Sequence, residues 1–412
     1  MLFYTPKLHI GTVRYAEEMD IQRVRVLILV APKNTEKMLC KVDEWLSADN
    51  HCTPPQGVVM ATLKNCFRHV GLSTGSVAFE EEDEVAIKEL PQLFLNDIMA
   101  PVVFEPIGPQ TLLGEAPHWD HKAQLLYYVD ILKSTVFRFN PKNKELTSVK
   151  IDGGIVSLVI PIEDKKDQFI ITVGRNLSIL TWDGKSDTPT KVEHLNTVDS
   201  EEEKADFSVF NDGKVDPTGR LWAGTRTTLG DDFVRDKPGV GSLYSFTKGQ
   251  LPIKHLTGLN ISNGLAWSKD LKTMYYIDTD DNKVYAFDFD PVKGQIANQR
   301  TAFDFAENKI KGFPDGMTID TEDKLWVACF GGGQVIRVDP TSGKLLSSLA
   351  IPANNVTSAT FGGPHLDELY VTTATAYVKA SDEDLKNKPD LGKTFRVTGV
   401  GAKGFQNHYA KF

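Results

Sequence analysis

The stretch TMYYIDTDDNKVYAFDFDP, Thr273–Pro291, consists of two apolar runs joined by a polar turn. Its apolar residues alternate with a period of two, and this pattern predicts a β-hairpin. The same plan recurs in LLYYVDILKSTVFRFNP (Leu125–Pro141) and in KLWVACFGGGQVIRVDP (Lys324–Pro340). Weaker copies lie at Gln168–Gly184, Arg220–Gly249 and Glu368–Ala374.

These hairpins recur roughly every 50 residues, which is a spacing typical of propeller blades. Helical periodicity is nearly absent from this part of the chain. We therefore predict an all-β fold, a six-bladed β-propeller. The late stretch KTFRVTGVG (Lys393–Gly401) and the early stretch PVVFEPIG (Pro101–Gly108) should pair and close the ring, because closure removes the exposed edges of the first and last blades.

Residues 1–98 carry no blade pattern, and we interpret them as an N-terminal extension that is unrelated α/β or partly disordered. The propeller then occupies residues 99–412. VRVLILVA (Val24–Ala31) is typical of a strand, and NTEKMLCKVDEWLSA (Asn34–Ala48) of an amphipathic helix with a polar N-cap. The segment GLSTG resembles a nucleophile elbow at Ser73, but an acidic run follows it instead of a helix, so we interpret the match as chance.

The composition limits the classes of partner and compartment. The chain has 412 residues, 25% of them charged, and a net charge of −9, which argues against nucleic acid or anionic membrane as the main partner. No apolar run approaches the ~20 residues of a membrane span. The first residues lack a secretory pattern. Four cysteines without a CxxC pair favour a reduced, cytoplasmic protein.

Polar residues stand at the start of several predicted inner strands, each next to a glycine. In a propeller these strands line the central channel, so their first residues converge. Taken singly, each such residue is also an ordinary turn signal. Together, two carboxylates, an amide oxygen and water suit a hard divalent cation; calcium is the generic expectation, with magnesium, manganese or zinc as alternatives. The residues are Glu115 in LLGEAPHWD, Asn211 and Asp212 in FNDGKVDP, Asn263 in ISNGLAWS and Asp315 in FPDGMTID.

These segments, with KLWVACFGGGQVIRVDP, FGGPHLDELYVTTA and RVTGVGAKGF, resemble the family of regucalcin (senescence marker protein), gluconolactonase and the insect luciferin-regenerating enzyme. The resemblance covers about residues 101–412 and is strongest to insect members. It implies a propeller with one divalent metal held by Glu115, Asn263 and Asp315. It also implies that Asp315 is the general base or acid of lactone hydrolysis. Asn211 matches a residue that contacts substrate, and Asp212 lies beside it.

Two positions depart from the family pattern on the substrate side. Val209 stands where the family usually has Arg, and Leu229 stands where vertebrate members have Glu. Arg226 could supply the missing cation, or it could be an exposed strand residue.

The residues and the resemblance predict a metal-dependent hydrolase of a lactone or similar cyclic ester, in which a metal-bound water attacks the carbonyl. A calcium-binding regulatory protein without turnover and a propeller scaffold with a degenerate site remain alternatives.

Overall fold

The computed structural model describes residues 26–29, 38–41, 101–228, 237–376 and 389–412. The chain divides into two compact units, Met1–Leu95 and Asn96–Phe412. Within these described residues, no helix is both long and apolar enough to cross a membrane.

The described elements are almost all strands, with one α-helical turn, α1 (Glu202–Ala205), and one 3₁₀ turn (Thr279–Asp281). The strands are β1 (Val26–Leu29), β2 (Met38–Lys41), β3 (Val103–Ile107), β4 (Gly114–Asp120), β5 (Leu125–Asp130), β6 (Thr135–Asn140), β7 (Glu145–Lys150), β8 (Val159–Pro161), β9 (Gln168–Val173), β10 (Asn176–Thr181), β11 (Lys191–Thr197), β12 (Ser208–Val215), β13 (Leu221–Thr227), β14 (Gly241–Phe246), β15 (Ile253–Leu259), β16 (Ser262–Trp267), β17 (Thr273–Asp278), β18 (Lys283–Asp290), β19 (Gln295–Asp304), β20 (Phe313–Ile319), β21 (Leu325–Phe330), β22 (Gln334–Asp339), β23 (Lys344–Ala350), β24 (Asn355–Gly362), β25 (Glu368–Ala374) and β26 (Thr394–Thr398).

In the first unit, β1 pairs antiparallel with β2. The predicted strand at Val24–Ala31 is confirmed over Val26–Leu29. The helix predicted over Asn34–Ala48 is wrong at Met38–Lys41, because pairing with the β1 edge gives those backbone groups hydrogen-bond partners that outweigh local helix preference. The rest of that segment, and Ser73, lie outside the described residues.

Six four-stranded antiparallel sheets make up the second unit, so the predicted six-bladed propeller is confirmed. Blades 1 to 5 are β4–β7, β8–β11, β12–β15, β16–β19 and β20–β23, and blade 6 is β24, β25, β26 and β3. The hairpins found in the sequence form the second and third strands of blades 1 to 5. In blade 6 the pair β26–β3 closes the ring as predicted, with Phe395 opposite Pro106.

The first strand of each blade is the inner strand, and adjacent blades meet through these strands. The fourth strands of blades 1 to 5 are largely exposed, whereas the inner strands β4, β16, β20 and β24 are buried. Each inner strand starts at one end of the channel, here called the upper end, and finishes at the lower end. Side chains at the start of different inner strands therefore lie near one another.

An aspartate at the lower end stabilises the turn from the first to the second strand in blades 3 and 5. Asp216 accepts a hydrogen bond from the indole Nε1 of Trp222 at 3.0 Å. Asp320 does the same for Trp326 at 3.0 Å and also accepts from Arg337 Nε at 2.7 Å. These contacts hold the lower ends of the blades in register.

Candidate functional site

The pairing of the inner strands with their neighbours is interrupted at the predicted site residues. Such β-bulges leave residues unpaired and redirect their side chains. On β4 the interruption directly follows Glu115. The unpaired residues are Asn211 and Asp212 on β12, Asn263 and Gly264 on β16, and Asp315 and Gly316 on β20. The same local irregularity thus recurs at the upper end of blades 1, 3, 4 and 5.

The glycines of these bulges allow neighbouring inner strands to approach closely. A Cβ atom on Gly264 would lie 2.7 Å from the backbone oxygen of Asp315 and 2.9 Å from the backbone nitrogen of Met317. A Cβ atom on Gly316 would lie 2.1 Å from Ser358 Oγ on the next blade. A polar residue next to a glycine is therefore a turn signal in the sequence, and the glycine is also needed for the inner strands to pack against each other in the channel wall.

Three carboxyl groups interact at this upper end. Burial raises the pKa of Glu115 well above its usual range, and the charges of Asp315 and then Asp212 raise it further. Burial likewise raises the pKa of Asp315 well above its usual range, with Asp212 adding to the shift while Asn263, Arg226 and the Gly316 N–H oppose it. Because the charges of Asp212 and Asp315 disfavour ionisation of neighbouring carboxyls, a positive charge placed among them would stabilise the ionised forms.

Asp212 is half-buried, and its carboxyl accepts a hydrogen bond from the Gly213 N–H at 2.7 Å. Burial raises its pKa, and the positive charge of Lys214 and the Gly213 N–H oppose that shift. Asp212 is therefore an acidic neighbour of Glu115 and Asp315 whose charge is already partly offset by the ammonium of Lys214.

Asn263 is held so that its amide oxygen is left unused. Its Nδ2 donates to Thr279 Oγ1 at 3.0 Å, and that hydroxyl donates to the Pro314 carbonyl at 2.9 Å. Since Pro314 precedes Asp315, the same chain of bonds fixes both neighbouring residues. Asn263 Oδ1 is buried and accepts no hydrogen bond from the described residues. A buried acceptor without a partner is costly, which indicates a place for a donor or a cation.

The donor set fits a hard divalent cation. Glu115 and Asp315 offer carboxylate oxygens, Asn263 offers an unpartnered amide oxygen, and all three side chains are buried. The described part of the chain contains no group of three or more His, Cys, Asp or Glu side chains arranged to hold a metal ion. A cation at this site would therefore depend on the amide oxygen and on water for the remainder of its coordination, as oxygen-preferring cations commonly do.

Arg226 lies beside this set and is only 7% exposed, which excludes the alternative of an exposed strand residue. Its Nε donates to Asn211 Oδ1 at 3.1 Å, and Asn211 Nδ2 donates to the Ser262 carbonyl at 2.9 Å. Across the β12–β13 pair, Arg226 is directly opposite Val209. The guanidinium of Arg226 on β13 therefore lies beside position 209 on β12, where the family pattern has its arginine. Leu229 lies outside the described residues.

Sequence reasoning missed Thr279, which orients Asn263 from a turn 16 residues further along the chain. It also missed Lys214, whose Nζ donates to the Met317 carbonyl at 2.7 Å. Burial lowers the pKa of Lys214 to about 8, although the Asp212 charge opposes that shift. Lys214 follows Asp212 by two residues on the same strand, so the strand period of two could have been used to predict that both side chains face the channel.

The family model described as SMP-30/Gluconolactonase/LRE-like region matches residues 113–375, which is more than half of the chain. The chain belongs to this family. The resemblance seen in the sequence is thus confirmed, and the matched region contains all six predicted site residues.

Relatives and solved structures of the family agree with this assignment. The chain is 38% identical over 308 residues to regucalcin of Xenopus laevis, an alignment that covers 74% of this chain and 97% of that protein. The fold is similar to that of a luciferin-regenerating enzyme, with a TM-score of 0.70 and 40% identity over 76% of this chain and all of the other. It is also similar to regucalcin from Agrobacterium tumefaciens, a calcium-binding protein, with a TM-score of 0.64 and 25% identity over 74% of this chain and 95% of the other.

Proposed function

We propose that the protein is a divalent-metal-dependent lactonase that hydrolyses a lactone or similar cyclic ester. The observation that carries the proposal is the pair of buried carboxyls, Glu115 and Asp315, beside the unpartnered Asn263 Oδ1. Burial raises both pKa values, the charges of Asp315 and Asp212 add to the shift at Glu115, and the charge of Asp212 adds to the shift at Asp315. This arrangement is unfavourable without a cation and favourable with one. Membership of a family that includes gluconolactonases supports the reaction class and a small-molecule substrate.

Glu115, Asn263 and Asp315 would hold the cation, with calcium as the first candidate and zinc, manganese or magnesium as alternatives. Bound there, the cation would supply Lewis-acid polarisation of the ester carbonyl and charge compensation for the developing oxyanion. Calcium is favoured by the relative from Agrobacterium tumefaciens, which is a calcium-binding protein.

Asp315 would move the proton. One of its carboxylate oxygens would accept a proton from the attacking water, and the same group would return a proton to the alkoxide that leaves when the ring opens. Without the cation, burial and the charge of Asp212 raise the pKa of Asp315. A bound cation would oppose that shift and keep the carboxyl ionised, so that it could accept the proton. The Thr279–Pro314 hydrogen bond holds the strand just before Asp315 and so fixes its position.

Arg226, Asn211 and Asp212 would contact the substrate. The guanidinium of Arg226 can donate to the ester or hydroxyl oxygens of a lactone, and its bond to Asn211 holds both side chains in place. Val209 offers an apolar side chain across from Arg226, so a substrate held there would meet a less polar surface than one with an arginine at position 209.

One observation favours a second function, a calcium-binding regulatory protein without turnover. The valine at position 209 removes a substrate-side cation without affecting the proposed metal ligands. Several relatives with about 37 to 39% identity are regucalcins. Under this alternative the cation would bind equally well, but no ester would be hydrolysed.

A matrix of metals against lactones measured on the full chain separates the two functions. Calcium, zinc, manganese and magnesium are each combined with sugar lactones and with apolar lactones of similar ring size, and ring opening is followed by proton release. Metal-dependent turnover that Asp315→Ala abolishes supports the lactonase. One-to-one calcium binding without turnover of any lactone supports the regulatory protein instead.

A further inference from the structure

The lower half of the channel contains a chamber separate from the candidate metal site. It has a volume of about 480 Å³, within the range of small-ligand pockets. Most of its wall is apolar and includes Ile160, Trp267, Met317 and Ile319. The chamber shares Asp212 with the carboxyl group cluster above it, whereas Glu115, Asn263 and Asp315 do not line it.

The end of the chain forms the floor of this chamber, through residues Phe405 to His408. Hydrogen bonds to several blades hold this segment in place. Asn407 Nδ2 donates to Thr360 Oγ1 at 2.9 Å, and Tyr409 OH donates to Asp120 Oδ1 at 2.6 Å. The backbone N–H of Ala410 donates to the Pro161 carbonyl at 3.0 Å. The floor is thus a built part of the fold, anchored to blades 1, 2 and 6.

One wall of the chamber carries a polar atom that has no partner. His118 lines the chamber and is 7% exposed, and its Nε2 makes no hydrogen bond with the described residues. Burial holds the pKa of this imidazole at about 3, so the ring is neutral at physiological pH and can carry its proton on Nε2. The ring of His118 therefore adds no charge to the chamber wall, and its Nε2 lies beneath the wall surface.

Lys214 brings a positive charge to the same chamber. Its ammonium donates to the Met317 carbonyl, but in the described part of the chain no carboxylate oxygen lies within 4.0 Å of its Nζ, and Asp212 acts on it only at longer range. The charge of Lys214 lowers the pKa of His118, so the two groups lie close enough to interact. An ammonium has three N–H donors, and a carboxylate would give it the close counter-ion that it lacks.

We propose that this chamber binds a small organic monocarboxylate with a compact apolar body, whose carboxylate accepts a hydrogen bond from Lys214 Nζ. The apolar wall accommodates the body of the ligand. Lys269 stands at the exposed rim and adds a second positive charge, while Asp212 is the one carboxylate among the lining residues. Two lysines and one aspartate give the lining residues a net charge of about +1, which balances a monocarboxylate but not a dianion such as phosphate, and phosphate would leave the apolar wall unfilled.

The proposal is independent of the proposed hydrolysis, and its test is run on the full chain in the presence of a chelator. Benzoate and cyclohexanecarboxylate are titrated calorimetrically, with benzamide as the uncharged counterpart of benzoate. We expect saturable one-to-one binding of the acids and at least tenfold weaker binding of benzamide. Lys214→Met should weaken benzoate binding about 10- to 100-fold because it removes a charge-assisted hydrogen bond. Lys344→Met, on an exposed outer strand, is the matched control and should leave binding unchanged.

A second variant covers the case in which Lys214→Met does not fold. Ala359→Leu adds side-chain volume at a buried wall position of the chamber and should abolish binding while the wild-type charges remain. The proposal is overturned if neither acid binds saturably, if benzamide binds as tightly as benzoate, or if Glu115→Gln removes binding and the chamber variants retain it. That last result would place the carboxylate at the upper site instead.

Discussion

Replacing Glu115 by Gln should have opposite effects on stability in the absence and in the presence of a divalent cation. In the folded protein the pKa of Glu115 is raised above its unfolded value by burial and by Asp315 and Asp212. A carboxyl with a raised pKa makes the folded state lose stability as pH rises from the unfolded pKa, about 4.3, through the folded one. At neutral pH the uncharged glutamine avoids this loss, so the metal-free variant should be more stable than the wild type.

With the cation bound, the wild type should become more stable than Glu115→Gln, and the size of the propeller unit sets how large the change in Tm is. A cation at about 100 times its dissociation constant stabilises the folded state by about 2.7 kcal/mol. The unit Asn96–Phe412 has roughly 320 residues, which corresponds to an unfolding entropy of about 0.67 kcal/mol/K. The wild type should therefore gain about 4 °C in Tm. If Glu115→Gln weakens binding about 100-fold, the same cation concentration should raise its Tm by less than ~1 °C.

The assay is thermal unfolding of the full chain at pH 5.5 and pH 8, with chelator and with added calcium. Glu307→Gln is the control, because Glu307 is exposed and lies outside the carboxyl cluster. The metal-free advantage of Glu115→Gln over the wild type should be larger at pH 8 than at pH 5.5. A cation site at Glu115 is refuted if Glu115→Gln is less stable than the wild type without metal, or if calcium raises its Tm as much as that of Glu307→Gln.

Three further substitutions test other parts of the account. Asp315→Asn should keep a cation-dependent rise in Tm but lower kcat for lactone hydrolysis about 10²- to 10⁴-fold, the usual contribution of general base catalysis; unchanged kcat would exclude the proton-transfer role. Arg226→Met should lower kcat/KM about 10- to 100-fold through loss of a charged donor, measured against the same lactone, and an unchanged value would exclude substrate contact. Gly264→Ala should cost about 1–3 kcal/mol of stability in urea unfolding, because the new Cβ would crowd the Asp315 and Met317 backbone; a neutral effect would contradict the close approach of blades 4 and 5.

The architecture was predictable because each blade has a recognisable hairpin pattern in a short stretch of sequence. The period-two hairpins depend only on residues that are near each other in the chain, and six copies leave few alternatives to a propeller. Ring closure by β26 and β3 joins segments almost 300 residues apart, yet it followed from the need to protect two sheet edges. At Met38–Lys41 the local periodicity gave the wrong prediction, because a short amphipathic pattern fits a helix as well as a strand. Pairing with Val26–Leu29 decides for the strand.

The residues of the site were partly predictable, and their arrangement was not. The pattern of a polar residue beside a glycine marked Asn263 and Asp315, because the bulge that redirects their side chains needs a residue without a side chain where blades touch. The role of Thr279 depends on a contact between two blades, and no local pattern encodes it. The chamber under the site is closed by the end of the chain, where the sequence has no strand periodicity, so only the folded structure shows it.

The most direct test of the account is a crystal structure of the full chain grown with calcium, in which the ion is located by its anomalous scattering. We predict one ion at the upper end of the channel, with oxygens of Glu115 and Asp315 and Oδ1 of Asn263 about 2.3–2.6 Å from it. An ion bound elsewhere, or an ion at the channel that leaves Asn263 Oδ1 out of its coordination, would contradict it.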